Sequence, residues 1–258
     1  MSGPLFSLRN VTVQFGGLRA LNDFSMDVQP GTIHALIGPN GAGKSTVFNC
    51  ISRFYTPTEG DIQFDGRSIL KTPPHGISRL GIARTFQNIE LCKRMTVLEN
   101  VLVGAQPTIA GYGSFWPSPG RVRIEAEAVK AAEALLEQGN LLSYRDVHAE
   151  ELDFGHQKML DVCRALACRP RLLLLDEPAA GLRNREIAAL DALLADLCRK
   201  RGITIVLVEH VMQLVMAVAD EITVLNFGEK IAEGKPAEIR ANPQVIEAYL
   251  GKGSHAAA

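Results

Sequence analysis

Cysteine is scarce in this 258-residue chain and carries no pattern. The five cysteines, Cys50, Cys92, Cys163, Cys168 and Cys198, include no C-x-x-C pair, so neither a zinc site nor a disulfide framework is expected, and a reducing cytosol suits the chain best. A surplus of one charge is missing as well. Lys and Arg number 27 against 28 Asp and Glu, for a net charge of -1. That balance gives neither the basic face of a nucleic-acid binder nor the composition of a disordered chain, and no nucleic-acid partner is expected. Long apolar runs are absent too. The longest, such as residues 172–175 and 205–208, fall far short of the roughly 18 residues that cross a bilayer, and the opening MSGPLFSLRN has no apolar signal segment. Any membrane link is expected to run through a partner protein.

What is present is alternation. Residues 8–15, 24–28 and 32–37 read as strands, and the last of them stops at a glycine-rich turn. From Lys44 to about Ser52 the pattern is helical, residues 60–64 return to strand, and Asp65-Gly66 signals a turn. Residues 105–120, AQPTIAGYGSFWPSPG, are rich in Gly, Pro and Ser, hold the single tryptophan and read as a loop. Helical periodicity follows over 121–139 and 156–168. Then come a short apolar strand at 171–175, a helix at 185–200, a strand at 203–208, a helix at 211–219 and a strand at 221–225. This order predicts an α/β domain with a largely parallel sheet, and the length suffices for one domain with a subdomain.

Gly38-Pro39-Asn40-Gly41-Ala42-Gly43-Lys44-Ser45 matches G-x-x-x-x-G-K-S/T and stands between a strand and a helix, where a phosphate-binding loop must stand. Its glycines let backbone N–H groups turn inward around phosphate oxygens, and Thr46 extends that first turn. The helix N-terminus adds positive potential, Lys44 neutralises β- and γ-phosphate charge, and the Ser45 hydroxyl can ligate Mg²⁺. A second motif narrows the chemistry. The run 172–175 ends in Asp176-Glu177, two carboxylates at the C-terminal end of a buried strand, where ligands of such sheets bind. Asp176 is expected to hold the Mg²⁺ shell and Glu177 to polarise an attacking water. No N-K-x-D element for guanine is present.

Taken in order, the motifs resemble the ATP-binding-cassette (ABC) ATPases over residues 6–250. The resemblance implies an α/β P-loop NTPase fold, with a mostly parallel core sheet, an N-terminal antiparallel β subdomain and a helical signature subdomain at about residues 88–168. One domain is expected over residues 5–251, and residues 252–258 as a disordered tail. Phe15 is similar to the aromatic residue that stacks on adenine in that family, although the residue alone also reads as part of a strand core. Gln87, in Arg84-Thr85-Phe86-Gln87-Asn88, matches the glutamine that reaches Mg²⁺ and the attacking water. His210, in Val208-Glu209-His210, matches the histidine that contacts the γ-phosphate.

Leu152-Asp153-Phe154-Gly155-His156-Gln157 stands where the family has L-S-G-G-Q. Gly155 keeps the second glycine, while Asp153 takes the serine position and His156 the glutamine position. In the family each ATP lies between the phosphate loop of one subunit and the signature stretch of the other. Asp153 and Gly155 are therefore expected to face a γ-phosphate across a dimer, where a carboxylate repels. Arg183 is placed to offset part of that repulsion. The alternative is that Asp153 caps the helix beginning near His156.

Residues 15–21, 84–89, 95–101, 176–182 and 245–251 resemble a narrower group, the ATPase subunits of importers for branched-chain amino acids and related solutes such as urea or amides. That resemblance implies ATP and Mg²⁺, and a peripheral place on the cytoplasmic face of the membrane. It also implies two membrane permease subunits, a second and non-identical ATPase subunit, and an extracytoplasmic solute-binding protein. Tyr112, Phe115 and Trp116 in the 105–120 loop are expected either to contact the permease or to cover their own domain. A soluble ATP-driven clamp and the ATPase of an exporter or lipid extractor are the alternative functions. The clamps generally carry two cassettes or a long coiled coil, and neither is present here.

Overall fold

The computed structural model describes residues 3–106 and 119–250. The chain opens with strands β1 (Phe6–Phe15), β2 (Leu18–Val28) and β3 (Ile33–Ile37), helix α1 (Lys44–Ile51), and strands β4 (Glu59–Phe64) and β5 (Arg67–Ser68). Strand β1 pairs antiparallel with β2 and β4, giving a four-stranded sheet in the order β2-β1-β4-β5. Beyond it come β6 (Ile82–Arg84), α2 (Val97–Ala105), α3 (Pro119–Gln138), α4 (Phe154–Leu166), β7 (Leu172–Asp176) and α5 (Asn184–Arg199). The chain continues with β8 (Thr204–Val208), α6 (Met212–Val218), β9 (Glu221–Asn226), β10 (Glu229–Gly234), α7 (Pro236–Ala241) and α8 (Pro243–Leu250).

The second sheet has six strands in the order β10-β9-β3-β8-β7-β6. All its pairings are parallel except that of β10 with β9. Every residue of β3, β7 and β8 is buried, as strands covered on both faces must be. Their side chains alternate between two cores. Leu172, Leu174, Val206 and Val208 pack with the β1–β2–β4 sheet and α1, whereas Leu173, Leu175, Ile205 and Leu207 pack with α4 and α5.

The register decides where the polar residues emerge. Asp176 lies level with Val208, and Val208 level with Leu36. The ends of three adjacent strands thus stand within one residue of each other, and the loops that follow them, 38–43, 177–183 and 209–211, open on one edge of the sheet.

Helices α2, α3 and α4 enclose a separate core of Val97, Val101, Leu136, Leu141 and Leu160. Helix α2 starts with a capping box in which the Thr96 hydroxyl accepts from Glu99 N–H and the Glu99 carboxylate accepts from Thr96 N–H. Strands β6 and β10 and helices α2, α7 and α8 were not among the elements expected from periodicity. The α4 start is corrected from near His156 to Phe154, because the cap that fixes it is Asp153. The 105–120 loop is corrected at both edges, since Ala105 ends α2 and Pro119 begins α3. Tyr112, Phe115, Trp116 and the tail 252–258 lie outside the described residues. Among the described residues no helix is long and apolar enough to cross a membrane, and no cluster of three or more His, Cys, Asp or Glu is placed to hold a metal.

Leu207 is fully buried in the central strand β8. Leu207→Ala is expected to cost about 3–5 kcal/mol, read as a lower denaturation midpoint in urea; a loss under about 1 kcal/mol would contradict this placement of the core.

Candidate functional site

The loop between β3 and α1 is shaped by its neighbours before any ligand is considered. A Cβ at Gly38 would lie 2.0 Å from the carbonyl oxygen of Leu225, and one at Gly43, which has φ 110°, would lie 2.7 Å from that of Ala20. Only glycine lets the loop press against β9 and β2 in this way. Gly228 N–H donates to Ala42 O across 2.8 Å, and Gly38 N–H reaches the Tyr249 hydroxyl from α8. The ammonium of Lys44 turns back over the loop, donating to the carbonyls of Gly38 at 2.7 Å and Pro39 at 2.9 Å. Burial pushes its pKa down, while Glu177 and Asp176 act in the opposite direction. Helix α1 has no side-chain cap and no acid in its first turn, so its free N–H groups and dipole favour an anion. Ser45, exposed, and Thr46, half-buried, complete that turn; Pro39, Asn40 and Gly41 form its outer wall.

The end of β7 presents the two carboxylates in different settings. Asp176 is buried and accepts from Arg84 Nη2 at 2.9 Å. Burial pushes its carboxyl pKa up, with Arg84 pulling against it. Glu177 takes a left-handed backbone conformation at φ 49°, which costs a side-chain-bearing residue about 1 kcal/mol or more. Its N–H is held by Val208 O at 2.8 Å and its carbonyl by the Lys158 ammonium at 2.8 Å. That twist aims the side chain at the other two expected residues. Gln87 Nε2 donates to Glu177 Oε2 at 3.0 Å, and His210 Nδ1 stands 3.8 Å from the same oxygen. Three residues far apart in sequence therefore meet on one carboxylate atom.

Phe15 is half-exposed at the end of β1, edge-on to Tyr55 with ring centroids 5.0 Å apart, so an aromatic face remains open to solvent. Asp153 is the N-cap of α4. Its Oδ1 accepts from His156 N–H at 2.9 Å and meets His156 Nδ1 at 2.8 Å, and these bonds hold its pKa below the usual carboxylate range. Gly155 is hemmed in by Glu186 of α5: a Cβ there would lie 2.8 Å from the Glu186 carboxylate. Glu186 accepts from Arg183 N–H at 2.7 Å, while the Arg183 side chain is exposed.

Three charged residues at the site escaped sequence reasoning. Arg84 bridges Asp176, Asn49 and Ser52 and lies over the rings of Phe48 and Phe86 at 5.3 and 5.2 Å. Lys158 reaches from α4 to the Glu177 carbonyl, and Glu209 is buried beside the loop that follows β8. The available signal was position. Glu209 directly follows the apolar run 203–208, where a charge stays buried only if it is paired.

The chain matches the profile of the ABC transporter family over residues 21–180, and that of the branched-chain amino acid ATP-binding cassette transporter over residues 229–255. It is 44% identical to the high-affinity branched-chain amino acid transport ATP-binding protein BraF of Pseudomonas aeruginosa, over 98% of this chain and 100% of that one. It is 42% identical to LivG of Escherichia coli, a protein of the same description, over the same shares. Among solved structures, it resembles the ADP conformation of an ATP-binding cassette of an ABC transporter with a TM-score of 0.83 and 33% identity, covering 96% of this chain and 99% of the other. A nucleotide-free cassette gives a TM-score of 0.82 at 32% identity, with the same coverage. With the phosphate loop, the strand-end carboxylates and their glutamine and histidine neighbours assembled on one sheet edge, the chain belongs to the ABC transporter family of ATP-binding-cassette ATPases.

Proposed function

We propose that this chain is the ATP-hydrolysing subunit of an importer for branched-chain amino acids, bound at the cytoplasmic face of the membrane. In this reading it works with two permease subunits, a second and non-identical ATPase subunit, and an extracytoplasmic solute-binding protein. The observation that carries the importer reading is identity over almost the whole chain to BraF and LivG, including the C-terminal segment 229–255.

ATP enters as the substrate. Lys44 has three N–H donors and spends two on the loop carbonyls, which leaves one for the phosphate chain. The backbone N–H groups of residues 41–46 and the start of α1 receive the remaining phosphate charge. Phe15, with Tyr55 behind it, offers the ring face for adenine. Ser45, Gln87 and Asp176 present only oxygen donors, the set that suits Mg²⁺, and Gln87 uses its amide nitrogen on Glu177, leaving its carbonyl end for the cation. Mg²⁺ bound there supplies charge neutralisation at the β- and γ-phosphates. Glu177 takes a hydrogen bond from the attacking water, and His210 faces the γ-phosphate beside it.

Glu177→Gln is expected to lower ATP turnover by about 10²-fold or more while ATP binding is kept, because the phosphate contacts survive and the water-polarising carboxylate does not. Lys44→Ala separates the roles: ATP affinity itself is expected to fall by about tenfold or more, since a charged phosphate contact is lost. Steady-state hydrolysis and fluorescent-nucleotide titration read both. Full turnover in the first variant, or unchanged affinity in the second, removes the assignment.

Transport is tested in liposomes that carry the chain with its cognate permeases and solute-binding protein. ATP-driven uptake of labelled leucine, isoleucine or valine is expected, abolished by Glu177→Gln. Uptake of urea or an amide in their place would reassign the solute.

A further inference from the structure

Glu209 is buried at 1% exposure, one residue beyond the end of β8, and no role in ATP chemistry falls to it. Its carboxylate is nevertheless fully engaged. One oxygen accepts from Ala179 N–H at 2.7 Å, in the loop that follows Glu177. The other accepts from His210 N–H at 2.9 Å and Val211 N–H at 3.0 Å, in the loop that follows β8. One side chain therefore ties the loop carrying Glu177 to the loop carrying His210. Beside this tie, Glu177 N–H is bound to Val208 O at 2.8 Å, so the two loops are stitched from both sides.

A buried carboxylate needs more than dipoles. The ammonium of Lys158, itself buried on α4, is the nearby positive charge: Glu209 is the strongest of the carboxylates that favour its charged form, against burial that pushes its pKa down. Lys158 does not float. Its Nζ donates to the Glu177 carbonyl at 2.8 Å and lies 5.8 Å over the Phe154 ring, in the stretch 152–157.

We propose that Glu209 is a positioning residue that locks the Glu177 and His210 loops in register, with Lys158 as a positive charge nearby that ties the Glu177 carbonyl to the start of α4. A serine or threonine at this position could reach only one loop; two carboxylate oxygens are needed to hold both. The lock fixes the left-handed turn at Glu177, so the carboxylate oxygen that meets Gln87 and His210 stays aimed without ligand. The proposal rests on the reading of Glu177 as the water-polarising group, yet the lock itself can be observed apart from hydrolysis.

The full chain with Glu209→Gln, Lys158→Met or Lys158→Arg is compared with the unaltered protein by hydrogen–deuterium exchange, Mg²⁺-ATP hydrolysis and fluorescent-ATP titration. In Glu209→Gln the amide group turns a donor toward N–H groups that need an acceptor. Exchange is expected to rise together in residues 177–182 and 209–213 while the phosphate loop is unchanged. Turnover is expected to fall by about tenfold to a hundredfold, as misplacement of a reacting group does, with ATP affinity within about twofold. Lys158→Met removes the nearby positive charge and its bond to the Glu177 carbonyl but keeps the three N–H bonds to Glu209, so it should shift both loops and turnover in the same direction, and Lys158→Arg should restore them. Faster exchange in one loop alone, or unaltered turnover in folded Glu209→Gln or Lys158→Met, overturns the proposal. Hydrolysis missing from the unaltered protein would overturn the ATPase reading, whereas the exchange result would still decide whether the lock exists.

Discussion

Between Ile33–Ile37, Thr204–Val208 and Leu172–Asp176 run parallel ladders whose side chains are buried on both faces. Such strands are built mostly of apolar residues, and the polar groups that bind a ligand come where the strands end. Because the register holds Leu36, Asp176 and Val208 level, those edges coincide. The phosphate loop, the carboxylates and the histidine loop are adjacent for that reason. A slip of register by one residue would separate Asp176 from its place and turn each strand's apolar side chains to the wrong core.

What the ladders place, the buried charges then orient. Asp176 and Glu177 follow one another, yet they face different surroundings: one is paired with Arg84 inside the domain, the other is turned outward by a left-handed residue. Leaving such groups unpaired would cost several kcal/mol each. Arg84 pairs with Asp176, Lys158 holds the Glu177 carbonyl, β8 holds its N–H, Gln87 donates to its carboxylate, and Glu209 binds the loops on either side. The strain at Glu177 is sustained by its surroundings, as backbone outliers at working sites generally are.

Much of this was legible in the sequence, and the rest was hidden for definable reasons. The α/β alternation, the phosphate loop, Asp176 and Glu177 were read from strand periodicity and spaced motifs, Gln87 and His210 from the resemblance to the ABC ATPases, and the structure gathers Gln87, Glu177 and His210 on one oxygen. Strand β6, only three residues long, offered too little periodicity, and α2 was not separated from the segment around it. The placement of Asp153 depended on a hydrogen bond to His156 that spacing allows but does not require. Arg84, Lys158 and Glu209 stayed hidden because a lone charged residue looks the same in sequence whether it is solvated or buried against a partner far along the chain.

The central claim is that the strand-end edge receives the phosphates of ATP, and a crystal structure of the Glu177→Gln chain with ATP and Mg²⁺ tests it most directly. The account predicts the γ-phosphate within hydrogen-bonding distance of Lys44 Nζ and the His210 ring, with Ser45 and Asp176 around the metal and residue 177 facing the phosphate. A triphosphate bound away from residues 38–46, or a residue 177 side chain directed away from it, would contradict the account.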